Sequence, residues 1–487
     1  MKKVISVIIS ILMLAAIFSA CGGGSPVPGE NTSVSQTPET SAPDAELIHS
    51  VPELNFDGAK IRVVTANEEG NGIDIGVQAD ETESRINEAV YKRDRAVEDI
   101  LGVRLTVRAY DTLTGSFTAF SDSVRAQSDD FDFAFASTNL VFPFASEGAL
   151  DDLAGYGYID LGMPWWDGTV NGDHLIGGSL YAAVGSISVN DLLRTHMILF
   201  NANIFEDNRV EFPYAKVEEG SWTIDYFTKL ATDLNSDVDG DGVVSNMAAD
   251  VYGFASYAWC SPYTLWYGCD GSVIGHSDDG WPVVEIDTGK TTAIYEKMYA
   301  AIIGSGSNYI YDGALYGELY NSFTQGRAAM TEACMMHLTH WPSFRDMADD
   351  YGIVPAPKFD ENQKDYISYA EVIEPAVCVP SLVSSKQEMI SAVLEVMAYE
   401  SYRRITPAVF EVSLKERFSR DEPSKKMLDI IAGSRRSCLG SVFIPSYSFT
   451  VALPTIIYQR NEAVSSYIEQ FREAMIGALD GAMEKFR

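Results

Sequence analysis

Basic residues are scarce. The 487-residue chain carries 35 Lys and Arg against 69 Asp and Glu, a formal net charge of −34 at pH 7. A surface of that sign argues against nucleic acid, whose phosphates need cations opposite them. It also gives no field to draw an anionic solute inward. Neutral and cationic ligands remain. Cysteine is scarce as well, with six residues at 21, 260, 269, 334, 378 and 438 and no C-x-x-C spacing, so a sequence-local zinc module is excluded. Cys260 and Cys269 are close enough in sequence to close a loop outside a membrane; buried thiols are the commoner state for the others. Among six His, His337 and His340 stand at i and i+3 without a third metal ligand to place beside them. No H-E-x-x-H occurs, no Gly-rich nucleotide fingerprint follows a strand, and GSIS (185–188) lacks the second Gly of a nucleophile elbow. The chain reads as a non-enzyme with no organic cofactor.

The long apolar run is at the N-terminus. MKKVISVIISILMLAAIFSA opens with Lys2 and Lys3 and continues apolar from Val4 to Phe18, too short for an ordinary spanning helix and built like a secretory signal. It ends FSAC, which resembles a bacterial lipobox with Phe18 where Leu is usual. That resemblance implies diacylglycerol on Cys21 as the mature N-terminus. Removing residues 1–20 takes away two Lys and no acid, so the mature charge is −36. GGGSPVPGENTSVSQTPETSAPD follows, and such a composition makes a flexible tether rather than a core. Residues 1–20 are therefore expected to be a signal, 21–50 a tether, and the protein to be lipid-anchored on the extracellular face of the cytoplasmic membrane.

The rest is long enough for two or three domains. KIRVVTA (60–66) predicts a strand. Ile86, Val90, Arg93, Val97 and Ile100 keep helical spacing, with Gly102 as the stop, and VRLTV (103–107) alternates. Strand, helix and strand make a right-handed βαβ unit. A helix near 115–127 and an apolar strand FDFAFAS (131–137) continue it. Ligands of such sheets sit beyond the strand C-terminal ends, which singles out the loops 66–72 and 137–139. At the far end, Ala463, Tyr467, Phe471 and Ile476 predict the apolar face of a core-packing helix.

Six segments carry a wider likeness: MPWWDGTV (163–170), GGSLYAAVGSIS (177–188), GSWTIDYFTKLATDLN (220–235), FTQGRAAM (323–330), YGIVPAPKFDENQKDYISY (351–369) and RFSRDEPSKKMLDII (417–431). In this order, behind a lipobox, they resemble the extracellular solute-binding lipoproteins, family 1 type, of Gram-positive ABC importers. The resemblance implies an α/β, two-lobed, periplasmic-binding-protein-like (type II) fold, each lobe a sheet flanked by helices, with a hinge and an interlobe cleft. By analogy the chain crosses the hinge near 185–195 and 355–371. Lobe one then comprises 51–190 with 370–400, and lobe two 195–365 with 401–487. A carbohydrate ligand, an oligosaccharide, and an ABC permease partner are implied, for a receptor expected to be monomeric.

A sugar cleft wants flat aromatic platforms and polar groups at its rim. SYAWCSPYTLWYGCDG (256–271) offers Trp259, Tyr263 and Trp266, and Trp341 precedes the second crossing. Trp165, Trp166 and Trp222 read as packing. Asn67 and Glu68 follow the first strand, Thr138 and Asn139 the third; Asn190 and Asp191 lie at the hinge and Glu371 by the return crossing. A surface glycosidase would need two carboxylates about 5–9 Å apart, and no catalytic motif stands out. The same fold holding a peptide or another small solute is the other alternative.

One acidic stretch stands apart, DLNSDVDGDGVVSNMAADVYG (233–253). Asp237, Asp239 and Asp241, the Val243 carbonyl and Ser245 follow EF-hand order, with Gly242 at the bend. The twelfth position is Ala248; Asp250 arrives two residues late, where the resembled family places an acid before Tyr-Gly, and must bulge the loop to reach an ion. A structural Ca2+ clamp in lobe two, away from the cleft, is expected.

Overall fold

The structure, a computed structural model, describes residues 47–68, 71–245, 249–311, 317–371, 375–415, 422–444, 448–458 and 464–487. The expected signal, Cys21, the tether up to residue 46, Ala248 and Ala463 lie outside the described residues. The first sheet begins with β1 (Ala59–Ala66), which runs parallel to β2 (Val103–Tyr110) in register from Ala59↔Val103 to Ala66↔Tyr110. The helix Arg85–Leu101 joins them and stops at Gly102, whose φ of 61° lets its N–H reach back to the Glu98 carbonyl. Its inward face holds Val90, Arg93, Val97 and Leu101. Ile100, expected inward, is 42% exposed, because Leu101, four residues after Val97, takes the inward place. The helix Leu113–Arg125 leads to β3 (Phe133–Ser137), buried along its whole length and parallel to β1.

The chain then builds a second sheet. It opens with β4 (His196–Asn201) and continues with β5 (Tyr252–Tyr257). A hairpin of β6 (Ile274–His276) and β7 (Pro282–Val284) branches off before β8 (Asn308–Tyr311), β9 (Ala328–Cys334) and β10 (Tyr351–Val354). The order is β10-β4-β9-β5-β8. The return path carries β11 (Ser368–Ala370) and delivers β12 (Pro375–Cys378) to the free side of β3, giving β12-β3-β1-β2. Late in the chain β13 (Arg435–Ser437) pairs parallel with β11.

Both sheets share one construction. Three parallel strands, β2-β1-β3 or β8-β5-β9, are completed by an antiparallel strand that arrives from the other sheet: β12 on β3, β4 on β9. The two crossings therefore run side by side, bridged at Thr195↔Ala370. This is the architecture expected of two lobes about a hinge, each lobe a sheet flanked by helices.

Packing explains the tryptophans. Trp165 and Trp166 are buried and donate their indole N–H groups to the two carboxylate oxygens of Glu395, at 2.9 and 2.8 Å. Trp222 is fully enclosed and donates to the Pro355 carbonyl at 2.8 Å. C-terminal elements touch both halves. The helix Gln387–Lys415 lies along Arg85–Leu101, and Leu439–Phe443 packs on Thr138–Ala145, with Phe142 and Phe443 5.1 Å apart edge to face. The last helix, Val464–Met483, buries Val464, Ile468, Met475, Leu479 and Met483. Tyr467 and Phe471 flank that stripe, but Ile476 is 43% exposed and corrects the expected face: one residue past Met475, it is turned out of the seam.

Beside Phe142, His174 is buried with Nε2 2.8 Å from Ser437 Oγ. Burial, helped by His276, pushes its pKa down to about 3. The unfolded chain protonates this ring near pH ~6.5 and the native chain does not. Stability present above that pH is therefore lost as pH falls toward about 3, at up to about 1.4 kcal/mol per pH unit. In denaturant titrations across this interval, His174→Gln should flatten the decline; an unaltered slope would refute the assignment.

Candidate functional site

The crossings and the C-terminal ends of the parallel strands bring the polar groups together. Arg194, on the first crossing, donates from Nη1 to Glu371 Oε2 at 2.7 Å, from the other terminal nitrogen to Asn71, and accepts the Glu371 N–H at its carbonyl. Next along the chain, His196 opens β4. Its Nδ1 stands 2.6 Å from Glu332 Oε1 on β9, and Ser261 donates to Glu332 Oε2 at 3.3 Å. Burial works against a charged His196 ring, but the hydrogen bond and charge of Glu332, with Glu371 behind, outweigh it and hold its pKa above the ordinary histidine value. Tyr369 stacks on this ring at 5.0 Å and on Tyr267 at 5.2 Å. At the ends of β5 and β8, Tyr257 and Tyr311 stack at 6.2 Å.

The expected site residues divide into two groups. Trp259 is 49% exposed and meets Tyr263 edge to face at 5.8 Å. Asn67 is exposed and borders a cavity of about 440 Å³ with Gln78, Tyr91 and Arg95. Glu68 and Asn139 are half-buried, the Asn139 amide oxygen being enclosed without a hydrogen bond. Trp341 is half-buried against Tyr320 and His337. Glu371 stands at the crossings.

The other expected contacts are corrected. Trp266 has no exposure and packs on Phe449, and Tyr263 is 4% exposed. The helix Cys260–Gly268 is buried on every side, so of the three aromatics expected there only Trp259, just before it, reaches the surface. Thr138 is buried at the start of its helix. Asn190 is a backbone clamp, accepting the Gly72 N–H at 3.0 Å and donating to the Gly72 carbonyl at 2.8 Å. Asp191 is ion-paired with Arg435 at 2.7 Å. Arg194, Asn71, His196, Glu332 and Tyr369 went unpredicted. Position pointed toward three of them: Asn71 lies in the singled-out loop 66–72, and Arg194 and Tyr369 lie within the expected crossings.

Cys260, Cys269, Cys334, Cys378 and Cys438 are all buried thiols. The loop closure allowed for Cys260 and Cys269 is not made: they stand at opposite ends of one helix, roughly 13 Å apart along its axis, beyond the Cα separation a disulfide spans.

In the acidic loop, carboxylate oxygens of Asp237, Asp239 and Asp250 lie within 4.8 Å of one another. Asp250 is fully buried and accepts the Val238 and Ser245 N–H groups, both at 3.0 Å. Asp237 accepts from Gly240 and Gly242. Asp241 is outside that trio and accepts the Val243 N–H at 2.9 Å. The late acid thus does reach the loop, and three oxygens on a tight turn suit a hard cation.

No protein-family model matches the chain, and no curated protein matches its sequence. Solved structures do match in fold. A cyclic alpha-maltosyl-1,6-maltose binding protein from Arthrobacter globiformis aligns with a TM-score of 0.57 at 12% identity, over 88% of this chain and 99% of that one. UgpB from Mycobacterium tuberculosis, in complex with glycerophosphocholine, gives 0.55 at 15% identity over 84% and 98%. A family 1 extracellular solute-binding protein from Bifidobacterium longum subsp. infantis gives 0.52 at 12% over 87% and 99%. The fold is that of the two-lobed solute-binding proteins. Among the described residues no helix is long and apolar enough to cross a membrane.

Proposed function

We infer that this chain is the lipid-anchored extracellular receptor of an ABC importer and that it captures a carbohydrate, an oligosaccharide, between its lobes. The observation that carries the reading is the pair of adjacent crossings, each handing an antiparallel strand to the opposite sheet. Two bodies joined this way hinge about a cleft, and a ligand that contacts both stabilises the closed arrangement. Cys21 bears the lipid, and the permease reads the closed shape. Asn67, Glu68, Asn139, Trp259, Trp341 and Glu371 are the proposed ligand contacts. Support for a sugar comes from the cyclic alpha-maltosyl-1,6-maltose named for the Arthrobacter protein of similar fold and from the exposed aromatic beside a polar crossing. The Mycobacterium structure holds a different solute, so the ligand class needs a direct test.

That test is a thermal-shift screen of mono- and oligosaccharides, amino acids, peptides and glycerophosphodiesters, because a ligand of the native state raises the midpoint by mass action. A shift with one glycan family supports the receptor reading; a shift only with a peptide or amine overturns the sugar. Release of reducing sugar would instead establish a glycosidase. Against the glycan found, Trp259→Ala should weaken binding by roughly 1–3 kcal/mol, the scale of an exposed apolar face that becomes covered. Unchanged affinity in calorimetry would remove Trp259 from the site.

Calcium is proposed as a structural ion held by Asp237, Asp239 and Asp250, with Asp241, the Val243 carbonyl and Ser245 around them. For a site of about 0.1 mM affinity, 1 mM Ca2+ should add about 1.4 kcal/mol of stability, and chelator should remove it. Asp250→Asn should abolish the difference. A melting temperature indifferent to both would dismiss the ion.

A further inference from the structure

A second group of metal-ligand side chains lies at the crossings. One imidazole nitrogen of His196, the Cys260 sulfur and a carboxylate oxygen of Glu371 all lie within 4.8 Å of one another. They come from three places: the first residue of β4, the start of the helix after β5, and the return crossing. His196 is 1% exposed with its Nδ1 held by Glu332, and its Nε2 is buried without a hydrogen-bond partner. An enclosed imidazole nitrogen is costly unless something binds it. A carboxylate on the other ring nitrogen is the second-shell arrangement that orients a metal-bound histidine. Glu332 is held in turn by Ser261. Arg194 occupies Glu371 Oε2, which leaves Oε1.

We propose that His196, Cys260 and Glu371 form a zinc-type transition-metal site, with Glu332 orienting His196. One imidazole, one thiolate and one carboxylate suit zinc better than calcium or magnesium, which take oxygen. On binding, the Cys260 thiol and any protonated His196 Nε2 release their protons to solvent, Nδ1 keeps its proton toward Glu332, and the thiolate sulfur and Nε2 bond the ion. Charges then balance: the thiolate, Glu332 and Glu371 are offset by Zn2+ and Arg194. Tetrahedral zinc needs its ligand atoms about 3.5 Å apart, and atoms within 4.8 Å of one another need draw in by little more than about an ångström at most. Glu371, with a side chain 15% exposed, is the member with room to move. The ion would tie one crossing to the other and both to the helix after β5, and it would take the Glu371 oxygen otherwise offered to the solute.

Cobalt(II) is the probe, added to the chelator-washed full chain. The expected result is one equivalent bound, with a near-ultraviolet thiolate-to-cobalt charge-transfer band that zinc displaces. Cys260→Ser should abolish the band, Cys269→Ser should leave it, and Glu332→Gln should weaken cobalt binding 10–100-fold. Asp237→Asn, in the calcium loop, should not alter it. No band in the wild type, or a band that survives in folded Cys260→Ser, overturns the site. If Cys260→Ser does not fold, zinc-edge absorption of the wild type decides. A sulfur scatterer at about 2.3 Å supports the proposal, and a shell of nitrogen and oxygen alone refutes it.

Discussion

Arg435→Met should lower the unfolding free energy by about 3–5 kcal/mol, the usual cost of breaking a buried ion pair by removing one partner. The Arg435 side chain is 2% exposed. Its Nη1 lies 3.0 Å from Asp167 Oδ2 and 2.7 Å from Asp191 Oδ1. Asp167 caps the helix Gly168–Asp173, Asp191 sits on the first crossing, and Arg435 belongs to β13 beside the second. One guanidinium thus ties three distant parts of the chain at the hinge. Without it two enclosed carboxylates face each other unopposed. Burial already raises the Asp167 pKa above the usual carboxylate range, with Arg435 opposing that shift and Asp191 adding to it. In the variant Asp167 should take up a proton, so the deficit should shrink as pH is lowered. Asp191→Asn in the Arg435→Met background should recover part of the loss, because only one buried charge is then stranded. Chemical denaturation of the wild type and these two variants measures this, and a loss under about 1 kcal/mol in Arg435→Met would show the ion pair to be dispensable.

Gly253→Ala is the second large effect. Gly253 lies in β5, directly beneath the helix Ile224–Asp233. A Cβ there would stand 1.7 Å from the Ala231 carbonyl oxygen and 2.4 Å from its carbon. Those are backbone atoms, so no side-chain rotation relieves the clash, and the helix must lift off the sheet. Overpacking costs about 1–3 kcal/mol where neighbours can adjust. Here more than about 3 kcal/mol, or failure to accumulate soluble protein, is expected. A variant with near-wild-type stability would mean that helix and sheet separate more easily than their contact suggests. The effect also gives a physical meaning to the Tyr-Gly that follows Asp250: the glycine is the seat of the helix.

Much of the first sheet was legible because its signals are local. Alternation marked β2, and Gly102 marked the end of a helix whose 3.6-residue spacing was plain. The aromatic cluster shows where such reading stops. Trp259, Tyr263 and Trp266 share composition and neighbourhood, yet one is half exposed and two are buried. Helix period alone does not say that every side of Cys260–Gly268 is covered, since the covering residues, Phe449 and Tyr369 among them, are remote in sequence. Asn190 and Asp191 were found at the hinge for the right topological reason and read wrongly as ligand groups, because their partners Gly72 and Arg435 are distant.

By itself, then, the sequence determined the local and the compositional: an excess of acidic residues, alternating strands and capped helices, and an acidic loop with its turn glycines. These follow from neighbours within a few residues. Only the tertiary structure decided which polar groups meet. Arg194 with Glu371, His196 with Glu332 and Cys260, and Arg435 with two aspartates are brought together by two strands that cross between the sheets. The physical reason is that burial and pairing depend on what the rest of the chain lays over a residue, and no local period records that.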